Sequence, residues 1–460
     1  MSAGDTPLLP AARFAVLLKA AAATAALSAT APAAAQDVPE GLSASGSVRL
    51  RYEAVGGQAR AGFNDSDDLT ELRTRLRLAW RHDALLGVVE VFDSRAWGAN
   101  PGTPLTTNEV NTLEPVQAYV QADLGDVMGA HTKTSVQAGR FVLELGSRRL
   151  VANDDYRNTT SGFTGLRADI ASRAGIKATL VYLLPQMRLP DDGPSLRNND
   201  VRLDRESFAA VLWGGFVARQ RPGSAILGEA SFLHFGEGDR TGRPTRNRSL
   251  NSAGARFLAD PRPGRFDGGV EGIYQWGHIA ASLAPGASTL PVSATFVRLH
   301  AGYTFAAPWK PHVLFELDRA SGDGRGRTYG RFDPLFGMRR ADLAPAGLYN
   351  AVGRTNVLSP GIRLELAPSK RTDLFAGYRA LWLADRHDAF ATTGVRDASG
   401  ASGRFAGHQI DARVRRWLVP ARLRFEVDGT YLARGRFLRE APNGRARDVR
   451  YASFNLTATF

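Results

Sequence analysis

In the last twelve residues, 449–460, apolar and polar side chains alternate strictly from Tyr451 to the terminal Phe460. Ala452, Phe454, Leu456, Ala458 and Phe460 hold one phase; Tyr451, Ser453, Asn455, Thr457 and Thr459 hold the other. Successive side chains of a strand point to opposite faces, so one face wants lipid or a core and the other wants water. An edge strand of a soluble sandwich could carry this pattern. A polar strand ending on a terminal aromatic points instead to the closing strand of a membrane barrel. It would pair with the first strand, because a barrel leaves no edge in the bilayer.

The same alternation predicts strands over 47–54, 70–81, 84–95, 115–124, 133–141, 163–170, 174–184, 205–219 and 224–235. It continues over 249–258, 265–279, 293–306, 311–319, 358–367, 371–384, 407–418, 421–434 and 449–460, eighteen segments in all. An even count in this range fits a single-chain outer-membrane barrel. Connections after even segments are short, as at His82–Asp83, Ala171–Arg173, Gln220–Gly223, Ala307–Lys310 and Val419–Pro420. Those after odd segments are long: 55–69, 96–114, 142–162, 185–204, 236–248, 280–292, 320–357, 385–406 and 435–448. Short periplasmic turns opposite long extracellular loops are the asymmetry of these barrels, and they place both termini in the periplasm. Trp80, Tyr303, Phe305, Trp417 and Phe460 fall at turn ends, and Tyr274, Trp276, Trp382 and Tyr431 towards loop ends. Two aromatic girdles follow from that placement. The fold class is therefore all-β: a single transmembrane antiparallel β-barrel of eighteen strands.

The start of the chain is addressed rather than folded. Arg13 and Lys19 flank apolar stretches, and Ala33-Ala34-Ala35 offers a cleavage site before Gln36. Residues 1–35 are the expected signal peptide and 36–460 the barrel, bound for the bacterial outer membrane. After that segment no run of 18 apolar residues exists, which excludes a spanning helix. The absence of Cys removes disulfides, Zn–thiolate sites and thiol nucleophiles.

Net charge is +13, and all but five of the 58 basic residues are Arg. A rigid, permanently charged fork suits carboxylate or phosphate. An exported, cysteine-free β-protein makes nucleic acid an unsuitable partner. The polar phase, expected to face a water-filled lumen, carries Arg49, Arg51, Glu53, Glu71, Arg73, Arg75, Arg77, Arg167, Asp169 and Lys177. Further on it carries Glu229, Asp267, Glu271, Arg298, Glu316, Asp318, Arg363, Glu365 and Arg379. The closing strands add Asp411, Arg413, Arg415, Arg422, Arg424, Glu426, Asp428 and Arg434. Much of this mixture is expected to pair across strands and stiffen the wall. Once the barrel closes, Arg49, Arg51, Arg75, Arg77, Arg413, Arg415, Arg422 and Arg424 should share one periplasmic sector. Glu53, Glu71, Asp411, Glu426 and Asp428 are expected to lie higher, and the far arc to be mainly acidic.

Gly139-Arg140, Leu145-Gly146-Ser147-Arg148-Arg149-Leu150-Val151, Asn153-Asp154-Asp155-Tyr156-Arg157-Asn158 and Phe163-Thr164-Gly165-Leu166-Arg167 resemble the alginate-export family of outer-membrane barrels. So do Arg49-Leu50-Arg51-Tyr52-Glu53, Thr74-Arg75-Leu76-Arg77 and Asp333-Pro334-Leu335-Phe336-Gly337. The resemblance implies an eighteen-stranded barrel whose arginine-rich lumen passes an acidic polysaccharide such as alginate outward. It implies as partners outer-membrane lipid, the barrel-assembly machinery acting on the C-terminal strand, and periplasmic export components. A general or nutrient-uptake porin for small anions or oligosaccharides is the competing channel.

Other chemistry finds little support. No HExxH or GxSxG pattern occurs, the eight His are scattered, and His234 and His278 read as interface residues, so no catalytic residue and no cofactor is expected. Asp65, Asp67, Asp68 and Glu71 group hard oxygen ligands that could hold Ca²⁺, but a solvated loop is the better account. Gly322–Gly326 is glycine-rich with no following helix, so it is no phosphate cradle.

Overall fold

The computed structural model describes residues 41–153, 155–338 and 343–460. The expected signal segment 1–35 lies outside the described residues. The strands are β1 (Leu42–Gly56), β2 (Ser66–His82), β3 (Leu85–Trp97), β4 (Asn111–Gly125), β5 (Thr132–Val142) and β6 (Gly162–Ser172). Next come β7 (Ile176–Pro185), β8 (Ala210–Gln220), β9 (Ile226–Glu237), β10 (Ser249–Ala259), β11 (Arg265–Ala280) and β12 (Thr289–Thr304). The last are β13 (His312–Ala320), β14 (Val357–Ser369), β15 (Thr372–Trp382), β16 (Phe405–Val419), β17 (Leu423–Arg434) and β18 (Val449–Thr459).

Each strand pairs antiparallel with its neighbours in sequence, and β1 pairs with β18. The sheet is therefore closed. Leu50 faces Leu456 and Arg51 faces Asn455 across the seam, as the terminal alternation requires. Two short helices, α1 (Gly193–Asn198) and α2 (Arg436–Glu440), lie in loops. Among the described residues no helix is long and apolar enough to cross a membrane. All connections after odd strands are loops, the longest being 321–356, and those after even strands are turns as short as 83–84.

The outward phase carries the apolar surface. Leu76, Leu78, Val89, Val120, Leu166, Leu180, Phe315, Ile410 and Val414 are all exposed on it. In water such a surface would be a liability; against lipid it is the required exterior. Trp80, Phe266, Phe305 and Phe460 mark the turn-side girdle, and Tyr274 and Tyr431 the loop-side one. Trp417 departs from the expected girdle. It shares the phase of Arg413 and Arg415 and lies opposite Arg424, so it faces the lumen.

The apolar core sits inside the loop-side half of the barrel. Inward residues Val55, Phe163, Leu212, Phe235 and Leu432 pack there against Leu145, Val151, Leu348, Tyr349, Phe390 and Phe437 from the loops and α2. The loops fold inward because they carry large apolar side chains that lipid-facing strands cannot cover. At the base of loop 143–161, Gly139 and Gly165 face each other in β5 and β6. Their φ values are +123° and +159°, and a Cβ would fall 2.4 Å from the Ala118 carbonyl oxygen and 2.1 Å from that of Tyr182. Only glycine fits this bend.

Candidate functional site: the charged lumen and its strap

Register places the lumenal side chains in rows across strands. One row runs Arg415, Glu426, Asn455, Arg51, Glu71; the next runs Trp417, Arg424, Thr457, Arg49, Arg73. Arg413 lies opposite Asp428, which lies opposite Ser453 and then Glu53. Acids and bases thus mix in the first and third of these sets, while the row of Arg424, Arg49 and Arg73 carries no acid and the acids begin one row further from the periplasm. Cross-strand neighbours 4.5–5.5 Å apart make alternation the lower-energy order.

Arg51 shows how tightly the pairing is built. It is 1% exposed and lies 3.0 Å from Glu53 and 3.4 Å from Glu71, both buried. Its Nε donates to Asn455 at 2.5 Å, and its guanidinium stacks 4.2 Å over the Tyr156 ring. Arg298 and Arg379 form a second buried cage around Asp318 and Glu316, at 2.8 Å and 3.2 Å to Asp318. Arg363 meets Glu365 at 2.9 Å and stacks on Phe375, whose ring also lies near Arg413. Arg413 and Arg415 share Asp373 at 3.1 Å and 2.9 Å, and Arg167 pairs with Asp169 at 2.6 Å.

The expected acidic far wall is neutralised. Glu229 pairs with Arg256 at 2.8 Å, Glu271 with Arg149, and Asp267 meets His312 at 3.1 Å. Sequence reasoning passed over Arg256, although its phase in β10 opposite Glu229 marks it as lumenal. It also could not see Arg149 arriving from a loop. The acids of 65–71 likewise disperse: Asp65 to Arg447 at 2.9 Å, Asp67 to Thr103 at 2.8 Å, Glu71 to Arg51.

Three members of the expected arginine sector differ from the rest. Among the described residues, Arg77, Arg422 and Arg424 have neither a carboxylate within ion-pair distance nor, as Arg49 has, strap carbonyls in its place. Glu90, opposite Arg77, turns to Arg75 at 2.9 Å and accepts from Gln117. Arg424 packs its guanidinium 5.6 Å from the Trp417 ring centroid. Arg422 lies in the turn before β17 rather than on the strand. All three stand at the periplasmic end.

Loop 143–161 crosses the lumen as a strap. At one side Ser147 and Arg149 donate to Glu271 of β11. At the other, Arg49 donates to the carbonyls of Asp155 and Arg157 at 2.7 Å and 2.6 Å, and Arg73 to the same two at 3.2 Å and 3.0 Å. Arg73 also bonds the Asp155 carboxylate at 2.7 Å. Burial pushes that carboxyl up, but Arg73 and Arg49 outweigh it and hold it below the ordinary carboxylate range. Tyr156 Oη meets Tyr451 Oη at 2.7 Å, and Asn158 donates to the carbonyls of Arg95 and Glu109. Loop 321–356 lies along the strap, with Phe336 N donating to Leu150 O at 2.9 Å and Ala152 N to Phe336 O at 3.1 Å.

A closed barrel with a lipid-facing exterior, aromatic girdles and a charged, loop-constricted lumen defines an outer-membrane channel of the porin type. Solved porins share this fold. OccK2 (OpdF) of Pseudomonas aeruginosa in complex with glucuronate matches at TM-score 0.57 and 11% identity, over 91% of this chain and 96% of that one. A BenF-like porin of Pseudomonas fluorescens Pf-5 matches at TM-score 0.60 and 10% identity, over 92% and 99%. OpdK of Pseudomonas aeruginosa with vanillate matches at 0.55 and 10%, over 91% and 98%. By sequence, no curated protein matches the chain. The model of the alginate-export family matches residues 41–452, and the chain belongs to that family. It is a bacterial outer-membrane channel and not an enzyme.

Proposed function

We propose that the barrel is an anion-selective conduit for an acidic polysaccharide, alginate or a similar polyuronate. Arg77, Arg422 and Arg424 carry this reading: three guanidinium groups at the periplasmic mouth without carboxylate partners among the described residues. A cluster of one sign in a low-dielectric tube focuses its field and raises the local concentration of counter-ions. The neighbouring ladder of Arg49, Arg51, Arg73, Arg75, Arg413 and Arg415 is balanced by acids and by strap carbonyls, so it shapes the wall more than it attracts. Weak, exchangeable contacts to a few exposed arginines let a polyanion pass without being held. The barrel-assembly machinery at the β18 end and periplasmic export components are the proposed partners.

A general or nutrient-uptake porin for small anions or oligosaccharides is the second reading. The inward-folded loops and the apolar loop-side core favour it, since both narrow the path. Planar-bilayer recordings decide the charge question. The wild type should show an anion-selective reversal potential and block by polyuronate fragments. Arg77→Glu with Arg424→Glu should abolish or reverse that selectivity while the barrel still assembles. Cation preference in the wild type would overturn the proposal.

A further inference from the structure

On the wall opposite the arginine ladder, the strap roofs a cavity of about 590 Å³ lined by β10, β11, β12, β13 and β14. That is within the range, roughly 300–1,000 Å³, of pockets that enclose small ligands. Asp260 in the turn after β10 belongs to its lining, so it opens towards the periplasm.

Its chemistry is mixed by design of the fold. Arg148 sits at the strap's tip with φ +64°, its N–H donating to Leu145 O at 2.9 Å and its carbonyl accepting from Met338 N at 2.9 Å. Both sides of its peptide backbone are therefore fixed. Its side chain is 43% exposed, with Glu144 as a loose partner at 3.5 Å. Glu365, also 43% exposed and already paired with Arg363 at 2.9 Å and His312 at 3.1 Å, and the exposed Asp260 face the same space.

We propose that this cavity is a subsite for a single sugar-acid residue arriving from the periplasm. Arg148 takes the carboxylate, and Glu365 and Asp260 accept from ring hydroxyls. A solute with a carboxylate and several hydroxyls satisfies both signs of charge here. An inorganic anion would offer Glu365 and Asp260 few or no hydroxyl donors, and a neutral sugar would bring Arg148 no carboxylate. The inference rests on the reading that the solute is a uronate, but it concerns a different wall from the one that sets selectivity.

The full-length barrel in planar bilayers, probed with digalacturonate, tests it. Block from the turn side should last longer than block from the loop side, and neither digalactose nor phosphate should reproduce it. Arg148→Gln should shorten the block about tenfold, as loss of one charge-assisted hydrogen bond would. Arg148→Lys should restore part of the block, and Arg148→Gln should keep the anion-selective reversal potential. Arg77→Gln should do the reverse, shifting the reversal potential and leaving the residence time. If residence is the same for Arg148→Gln as for the wild type, or the same for phosphate as for digalacturonate, the subsite is overturned whatever the selectivity.

Discussion

Arg51 concentrates the chemistry of this lumen in one residue. Its charge holds two buried carboxylates and a strap carbonyl, so truncation strands Glu53 and Glu71 without a cation. Breaking a buried pair from one side costs about 3–5 kcal/mol. Arg51→Met should therefore lower the unfolding midpoint of the detergent-extracted barrel clearly. Arg81→Met at the exposed Asp123 pair, which belongs to the class worth about 0–1 kcal/mol, should barely change it. Equal midpoints for the two variants would show that the cage contributes nothing. At this scale sequence legibility was uneven. Phase alone put Arg49, Arg51 and Arg73 inside, because a strand's two faces are a local property. It could also have caught Trp417, whose parity matches Arg415, and Arg256, which alternates with the outward Phe257. It could not see Arg49 binding the carbonyls of Asp155 and Arg157, since every residue type offers that acceptor.

Among the elements, strands were legible and loops were not. The bilayer imposes alternation on every strand independently, whereas loop placement depends on contacts a hundred residues away. The strap is held at the β1–β2 wall largely by Arg49 and Arg73. Arg49→Gln with Arg73→Gln should free it, raising single-channel conductance and its fluctuations; an unchanged conductance would mean the strap does not constrict. Loop 186–209 has its own anchor. Asp204 accepts from Leu189 N and Asn111, both at 2.8 Å, and its N–H donates to Glu114. Burial, with nearby Glu114 adding, pushes the Asp204 carboxyl up to about 7. A raised acid is favoured protonated in the folded state, so this anchoring is fully present below the ordinary carboxylate range and is lost as pH rises through about 7. Hydrogen exchange in 186–209, corrected for its intrinsic pH dependence, should accelerate from about pH 4 to about pH 7 and level off above it, and Asp204→Asn should remove that step.

For the whole molecule, eighteen strands, their phase and the turn–loop asymmetry follow from the chain's own pattern, and the structure reproduces each. Strand ends moved by a few residues; β1 runs Leu42–Gly56 where 47–54 was expected. Because the chain has no Cys, single cysteines report topology cleanly. A cysteine at Arg325, in the longest loop, should label on intact cells. One at Lys310, in the turn before β13, should label only after the outer membrane is opened. Labelling at position 310 on intact cells would invert the orientation. Leu456→Arg, on the lipid phase of the seam, should cost up to about 2–4 kcal/mol and reduce the heat-modifiable barrel.

The strap also bears on the order in which the barrel is made. Its partners Arg49, Arg51 and Arg73 lie in the first two strands, so the strap's docking on β1 and β2 is internal to the N-terminal third of the chain and does not need β18. Every contact that docks Asp155–Asn158 on β1, β2 and β3 is thus available while β1 is still an open edge. The inner face of that edge would be held in shape before its final neighbour pairs with it. A chain truncated after β16 (Val419), with paired cysteines at Arg49 and Arg157, should already cross-link. The last strand would then close onto a template rather than search for one.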